Sequence, residues 1–524
     1  MKPFSAAVAT DSSQGPSEEL RIAITFRGAK EIGLTKFSGR MSTDSVEQFK
    51  PSSVDMDEAI HQLHKHGFTL SGRGSMTLSV RGSRALFEKA FGTKLSVFDL
   101  PKAIPYSEHS FYFPAEGAPW NPDKKLSKII DEAYIQWPHI YMARATNVPA
   151  AKTMADKKPS AKKVAAKTTS PVKPAAPKGA VPPKVGSYYN LDVLKDVPRL
   201  LNVVDIHKQG HKGEGMRIAM IDTGFAHSHP FFTSNGFVSS VVLAPSATSR
   251  TTDPGSHGTG ESANIFAIAP KATFIGVKLG DDANPTGGAS ILEGFQEALK
   301  HKPHVISISM GYDLRIPPRS QITQLPNNLK GLEGEIQAAI ASGIVIVFSA
   351  GNGHYAFPGS MPEVVSAGGV YVDAQGKMRA SDYASAFPSA IYSGRNVPDF
   401  CGLVGMLPHA DYIMLPVPPG EEMDKENALH DATKPNDGWA VFSGTSAAAP
   451  QLAGVCALLL QKKKSLSASD LKAILRRTAT DVTVGRANPA SDSAGQGIAA
   501  GPGQDGATGA GLVNAFAAWK QITV

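Results

Sequence analysis

The chain has 524 residues, 42% of them apolar, which at about 100–200 residues per domain allows two to four domains with at least one large core and excludes a single small binding module. Two cysteines, Cys401 and Cys456, exclude a disulfide-stapled scaffold and a multi-cysteine zinc module. The formal net charge of +7 is local: nine Lys and one Asp between Ala151 and Lys184 carry +8, which leaves −1 for everything else, so no folded basic surface is implied.

In chain order, the opening MKPFSAAVATDSSQGPSEEL holds one Lys and no apolar segment of the kind a secretory leader needs. Residues 1–17 are read as disordered, and the compartment as cytoplasmic or reached by a non-standard export route. No apolar run approaches the roughly 20 residues that span a bilayer, so no membrane contact is expected. RIAITF (21–26), MTLSVRGS (76–83) and KLSVFDL (94–100) alternate as strands, and MDEAIHQLHKHG (56–67) and SRALFEKAFG (83–92) have helical spacing with Gly stops. This β-α-β-α-β order over residues 18–145 predicts a small α+β sandwich of ferredoxin-like type. It holds no Cys/His metal spacing, no phosphate loop and no nucleophile beside a base.

Residues 146–186 follow, rich in Lys, Ala and Pro. So few large apolar groups do not offset the entropy of ordering, and a flexible tether is expected. Such a composition also holds DNA or acidic surfaces by counterion release, which keeps a nucleic-acid anchor open as a rival role. From residue 187 to 524 the pattern changes. Continuous Ile/Val-rich strands at 216–222, 273–279, 304–310 and 344–350 are interleaved with helical stretches at 287–301 and 328–343. That is the signature of a doubly wound, mostly parallel α/β sheet, whose ligands gather beyond the carboxyl ends of the strands.

Three motifs fall at such ends: IDTG with Asp222, SHGTG with His257 and FSGTSAAAP with Ser446. Singly, each has an ordinary reading as a cap or a structural histidine. In the order Asp, His, Ser they meet the needs of nucleophilic catalysis, because a serine hydroxyl requires an imidazole to take its proton and a carboxylate to orient that imidazole. Gly444 and the small residues Ala447 to Ala449 admit a substrate backbone, the helix that starts there turns its positive end to the reacting centre, and Pro450 is read as lying in an early helical turn. VFSAGNGH sets Asn352 just past a strand, where its amide would serve an oxyanion together with the Ser446 N–H.

IDTG, HGTG, SISMG, SAGNG and SGTSAAAP, spread from Met216 to Ala457, resemble the motifs of the subtilisin-like serine peptidases in their family order. The resemblance implies that Asp222 orients, His257 acts as general base and then acid, Ser446 attacks, and Asn352 binds the oxyanion. It also implies that Ser309, Met310 and Gly311 pair with extended substrate by β-augmentation. Other segments resemble the sedolisins. HGTGESA puts Glu261 four residues after His257, on the same helical face, as a secondary carboxylate. VRGSRALFEKAFGTKLSVF, YFPAEGAP and KLSKIIDEAY resemble their activation prodomain, and GRNVPDFCG their GRxVPD segment. DVTVGRAN and AAGPGQDGATGAGLVN resemble their calcium loop, with Asp481 and Asp505 carboxylates and the carbonyls of Val482, Gly501 and Gly503 as ligands of a structural Ca²⁺. Sedolisins carry an Asp where Asn352 stands, so the pattern is a hybrid of the two.

The sequence therefore reads as a serine endopeptidase acting through an acyl-enzyme on polypeptide substrates. It would be made as a zymogen whose prodomain inhibits it and is removed by self-cleavage. The rival is a silent peptide-binding scaffold or a nucleic-acid-associated protein. Four intact catalytic residue types argue against silence.

Overall fold

The computed structural model describes residues 16–28, 32–37, 39–100, 106–115, 117–141, 179–283, 288–316, 320–407, 410–429, 431–488 and 497–523. The expected disordered start lies almost wholly outside them, as does the tether up to residue 178.

The front unit is built on β1 (Glu19–Phe26) and α1 (Ser53–Lys65), the latter capped by Ser52, whose hydroxyl accepts the Asp55 N–H at 3.0 Å. β2 (Thr69–Arg73), β3 (Thr77–Ser83) and α2 (Arg84–Phe91) follow, and α2 ends on Gly92 in the left-handed region at φ 63°. The hairpin of β4 (Leu95–Asp99) and β5 (Ser110–Pro114) precedes β6 (Ile130–Ile135) and the short β7 (Ile140–Tyr141). The sheet order is β2-β3-β1-β6, antiparallel throughout, in a βαββαβ arrangement. Two details differ from the sequence reading. The strand at 94–100 leaves the sheet to pair with β5, and its place is taken by β6. β2, with the sequence TLSGR, carries too little apolar alternation to be read, because much of its surface remains exposed.

The back unit is a sheet of eight strands: β8 (Arg217–Asp222), β9 (Ser239–Leu243), β10 (Thr273–Lys278), β11 (Val305–Ile308), β13 (Val345–Ser349), β15 (Val365–Val372), β16 (Met378–Ala380) and β17 (Phe400–Leu403). Outside it, β12 (Met310–Asp313) and β14 (Ala356–Phe357) form a separate small sheet with β7. The main order is β9-β10-β8-β11-β13-β15-β16, with β17 also on β15; all pairings are parallel except that of the edge strand β16. After β8 the chain builds first to one side and then to the other, so β8 lies at a topological switch point. One face is covered by α3 (His257–Ile268) and α6 (Thr445–Lys462), the other by α4 (Ile291–Lys300) and α5 (Asn327–Ala341). Among the described residues no helix is long and apolar enough to cross a membrane.

The front sheet docks on α4 and α5. Arg81 of β3 forks onto both oxygens of buried Glu293 at 2.9 and 3.0 Å. The buried Glu335 carboxylate on α5 accepts the Ser75, Met76 and Thr77 N–H groups at 3.0, 2.9 and 2.7 Å, and both hydroxyls of Ser75 and Thr77. A Cβ on Gly74 would stand 1.9 Å from Glu335 Oε1, so this turn must be glycine for the carboxylate to reach it.

Candidate active site

Asp222 closes β8 and is fully buried. His257 opens α3, preceded by Ser256 in the left-handed region at φ 59°, a strained conformation for a residue with a Cβ. This bend sets the ring on the strand end: Nδ1 of His257 lies 2.7 Å from Asp222 Oδ1, which also accepts the Thr223 N–H at 2.7 Å. The carboxylate thereby selects the imidazole tautomer that leaves Nε2 as the base. A Cβ on Gly258 would meet Gly224 O at 2.3 Å and Asp222 Cβ at 2.8 Å, so only glycine lets the helix come this close.

Buried Asp253 holds the approach loop by accepting Thr259 N–H, Thr259 Oγ1 and Thr223 Oγ1 at 2.7–2.8 Å. Burial works against a charged His257, but the charge and hydrogen bond of Asp222, with Glu261 adding to them, hold its pKa up at about 9. Burial pushes Glu261 up to about 8.

Ser446 is the second residue of α6, after Gly444 at φ 137°, and α6 packs along α3. Its hydroxyl lies 3.5 Å from the Ser309 carbonyl, while His257 Nε2 has no hydrogen-bond partner among the described residues. The acid and the imidazole are thus joined, and the serine hydroxyl is turned toward the Ser309 carbonyl. Pro450 corrects an expectation. It is the sixth helical residue, beyond the first turn, so its missing N–H deprives the Ser446 carbonyl of its i+4 donor. Ser309 Oγ supplies the substitute at 2.9 Å.

Asn352 follows β13 between Gly351 (φ 102°) and Gly353 (φ 84°). Its Oδ1 accepts the N–H and the hydroxyl of Thr445 at 3.0 and 3.1 Å, and Thr445 Oγ1 in turn accepts the Gly351 N–H at 3.1 Å. Thr445 therefore fixes which end of the amide is the donor. Sequence reasoning missed this role, and the only available signal was its position beside Ser446.

Met310 and Gly311, expected to receive substrate, pair antiparallel with Tyr141 and Ile140 of the chain itself. On its other side the strand at Ile140 meets Tyr106–Ser107, through a bridge from Tyr106 to Ile140 and a 2.8 Å bond from the Ser107 N–H to the His139 carbonyl. In the tail, Asp481 accepts the Gly503 N–H and Asp505 the Gly501 N–H, both at 2.9 Å. Among the described residues no group of three or more His, Cys, Asp or Glu side chains could hold a metal, so a cation there would depend on backbone oxygens.

Residues 213–503, more than half of the chain, match the model of the subtilase family. The chain belongs to that family. Subtilisin E of Bacillus subtilis is 25% identical over 293 residues, covering 52% of this chain and 63% of its own length, just under two thirds of the relative. Subtilisin Savinase of Lederbergia lenta is 26% identical over 326 residues, covering 60% of this chain and 94% of its own. Among solved structures, fervidolysin from Fervidobacterium pennivorans, described as a keratinolytic enzyme related to subtilisin, aligns with a TM-score of 0.52 at 17% identity. That alignment covers 98% of this chain and 62% of that one, and it bears on the fold alone.

Proposed function

We propose that this chain is a serine endopeptidase made as a zymogen. The observation that carries the reading is the buried 2.7 Å pair of His257 and Asp222 at the sheet's switch point, beside the helix that opens with Ser446. Rotation of Ser446 brings its hydroxyl to Nε2. His257 takes the proton as Oγ attacks the peptide carbonyl, and the Asn352 amide and Ser446 N–H stabilise the oxyanion. His257 then protonates the leaving amine, and water releases the acyl group by the reverse sequence.

Glu261 acts on this site as a secondary carboxylate, through its charge on His257. The front unit acts as the inhibitor: the pairing of Ile140–Tyr141 with Met310–Gly311 supports this, since it uses the edge that an extended substrate would need. The antiparallel register runs from Gly311 toward Ser309 as the front unit's numbering rises, which leads the chain toward Ser446. Self-cleavage is therefore expected within a few residues after Tyr141, rather than in the Lys-rich stretch 151–184.

Mass spectrometry of wild type and Ser446→Ala during incubation tests both ideas. A cut just after Tyr141, seen in wild type only, is expected. An uncut wild type, or one cut equally with the variant, would remove the zymogen reading.

Calcium belongs to the same proposal. Asp481 and Asp505 carboxylates and the carbonyls of Val482, Gly501 and Gly503 make an oxygen-only set of the kind Ca²⁺ takes. The two carboxylates meeting on one glycine turn support the fit. Bound there, the ion would tie the tail loop to the end of α7 (Ala468–Thr478).

A further inference from the structure

The seam between α3 and α6 is packed largely with Ala, Ile, Val and Leu, yet three fully buried polar side chains cross it. Gln451, on α6 five residues past Ser446, accepts the Leu403 N–H of β17 at 2.8 Å through Oε1 and donates to the Leu403 carbonyl at 3.2 Å through Nε2. The same Nε2 donates to Asn264 Oδ1 at 3.2 Å, and Asn264 Nδ2 donates to Glu261 Oε2 at 2.9 Å. Among the described residues Glu261 Oε1 has no hydrogen-bond partner.

The direction of this chain is forced. A backbone N–H can only donate, so Leu403 fixes Gln451 Oε1 as acceptor and its Nε2 as donor. Asn264 must then accept with Oδ1 and donate with Nδ2. A donor is thus aimed permanently at the carboxyl group that stands one helical turn beyond His257.

We propose that Asn264 and Gln451 are positioning residues, a fixed relay of donors from the strand under the serine's helix to Glu261 that sets Glu261's ionisation and, through it, the basicity of His257. The relay deepens the peptidase reading and rests on it. A donated hydrogen bond favours the carboxylate over the acid, against the burial that favours the acid. The acidic groups acting on the pair are Asp222 at the end of β8, which faces both, and Asp253 on the loop before α3, which acts on His257; the Tyr383 phenol, in the segment after β16, faces Glu261. The raised values of His257 and Glu261 agree with two groups that titrate as a pair. The relay also ties the helix of the base to the helix of the nucleophile, whose relative placement decides whether Ser446 reaches Nε2.

The test uses the full chain with Asn264→Leu, Gln451→Met and Glu261→Gln. The readouts are kcat/KM against pH and, in a Ser446→Ala background, the NMR titration of the His257–Asp222 bridging proton. Withdrawing the donor keeps Glu261 protonated to higher pH, so His257 loses a favourable charge. Its acid limb and its NMR midpoint should move to lower pH by roughly half to one unit in each single variant. Asn264→Leu combined with Glu261→Gln should shift no further than Glu261→Gln alone. Profiles that coincide with wild type, whatever happens to kcat, or shifts that add, would overturn the relay. Gln451→Met breaks it one link away should Asn264→Leu fail to fold. If wild type hydrolyses nothing, the peptidase reading fails, and the NMR titration still decides on the relay.

Discussion

Replacing Glu335 by Leu should loosen the front unit from the peptidase unit as a whole. The carboxylate accepts three backbone N–H groups, and those of Met76 and Thr77 belong to buried residues, whereas Ser75 is partly exposed. Leaving two buried donors unpaired costs about 1–3 kcal/mol each. Removing a buried carboxylate recovers part of its own desolvation cost, which leaves a net loss of about 2–4 kcal/mol. At about 1.4 kcal/mol per tenfold, that is a roughly 30- to 700-fold increase in the undocked population. Hydrogen exchange on the uncleaved Ser446→Ala chain reads this directly. The informative amide is Ile140, which pairs with Gly311 away from Glu335. If docking is cooperative, its exchange accelerates by the same factor as that of Thr77. Acceleration confined to residues 75–77, with Ile140 unchanged, would refute the view that Glu335 holds the unit in place.

Gly258→Ala should lower kcat/KM at least 100-fold and destabilise the chain by about 1–3 kcal/mol, because its Cβ overlaps Gly224 O and Asp222 Cβ; steady-state kinetics and thermal melting check both. Asn352→Ala should cost about 3–4 kcal/mol in kcat with little change in KM, a magnitude established on a subtilisin rather than worked out from this geometry. His257 and Glu261 both bind protons more tightly in the folded state, at about 9 and about 8. The stability they add is therefore full at low pH and is lost as pH rises from about 4.5 through 9. Unfolding of Ser446→Ala with and without Glu261→Gln plus His257→Gln should show that difference shrinking with pH, and a constant or growing difference would contradict it. Chelation of calcium should lower the melting temperature of wild type but leave Asp481→Asn/Asp505→Asn unmoved.

Much of this arrangement was legible because the informative groups sit at strand ends that local pattern marks. IDTG ends a continuous apolar strand, SAGNG another, and SGTSAAAP opens a helix, so each side chain's level in the sheet follows from its own segment. The relay through Asn264 and Gln451 was not legible, since the two lie 187 positions apart and meet only through the crossing of two helices. Glu335 reads as a surface residue of an amphipathic helix until the front sheet covers it. Pro450 departs from the sequence reading because the helix starts at Thr445, which puts its missing N–H opposite the Ser446 carbonyl, a place that Ser309 Oγ takes from a distant strand end. The edge strand at 130–135, IDEAYI, is not legible as a sheet member, because the strands it joins precede it by more than 40 positions.

The most direct test of the central claim is peptide mapping after exposure to a serine-reactive fluorophosphonate, applied once incubation has allowed the front unit to be released. The account predicts a single adduct on Ser446, absent from His257→Ala and strongly slowed in Asp222→Asn. An adduct on another residue, or equal labelling of Ser446 when the imidazole is removed, would contradict it.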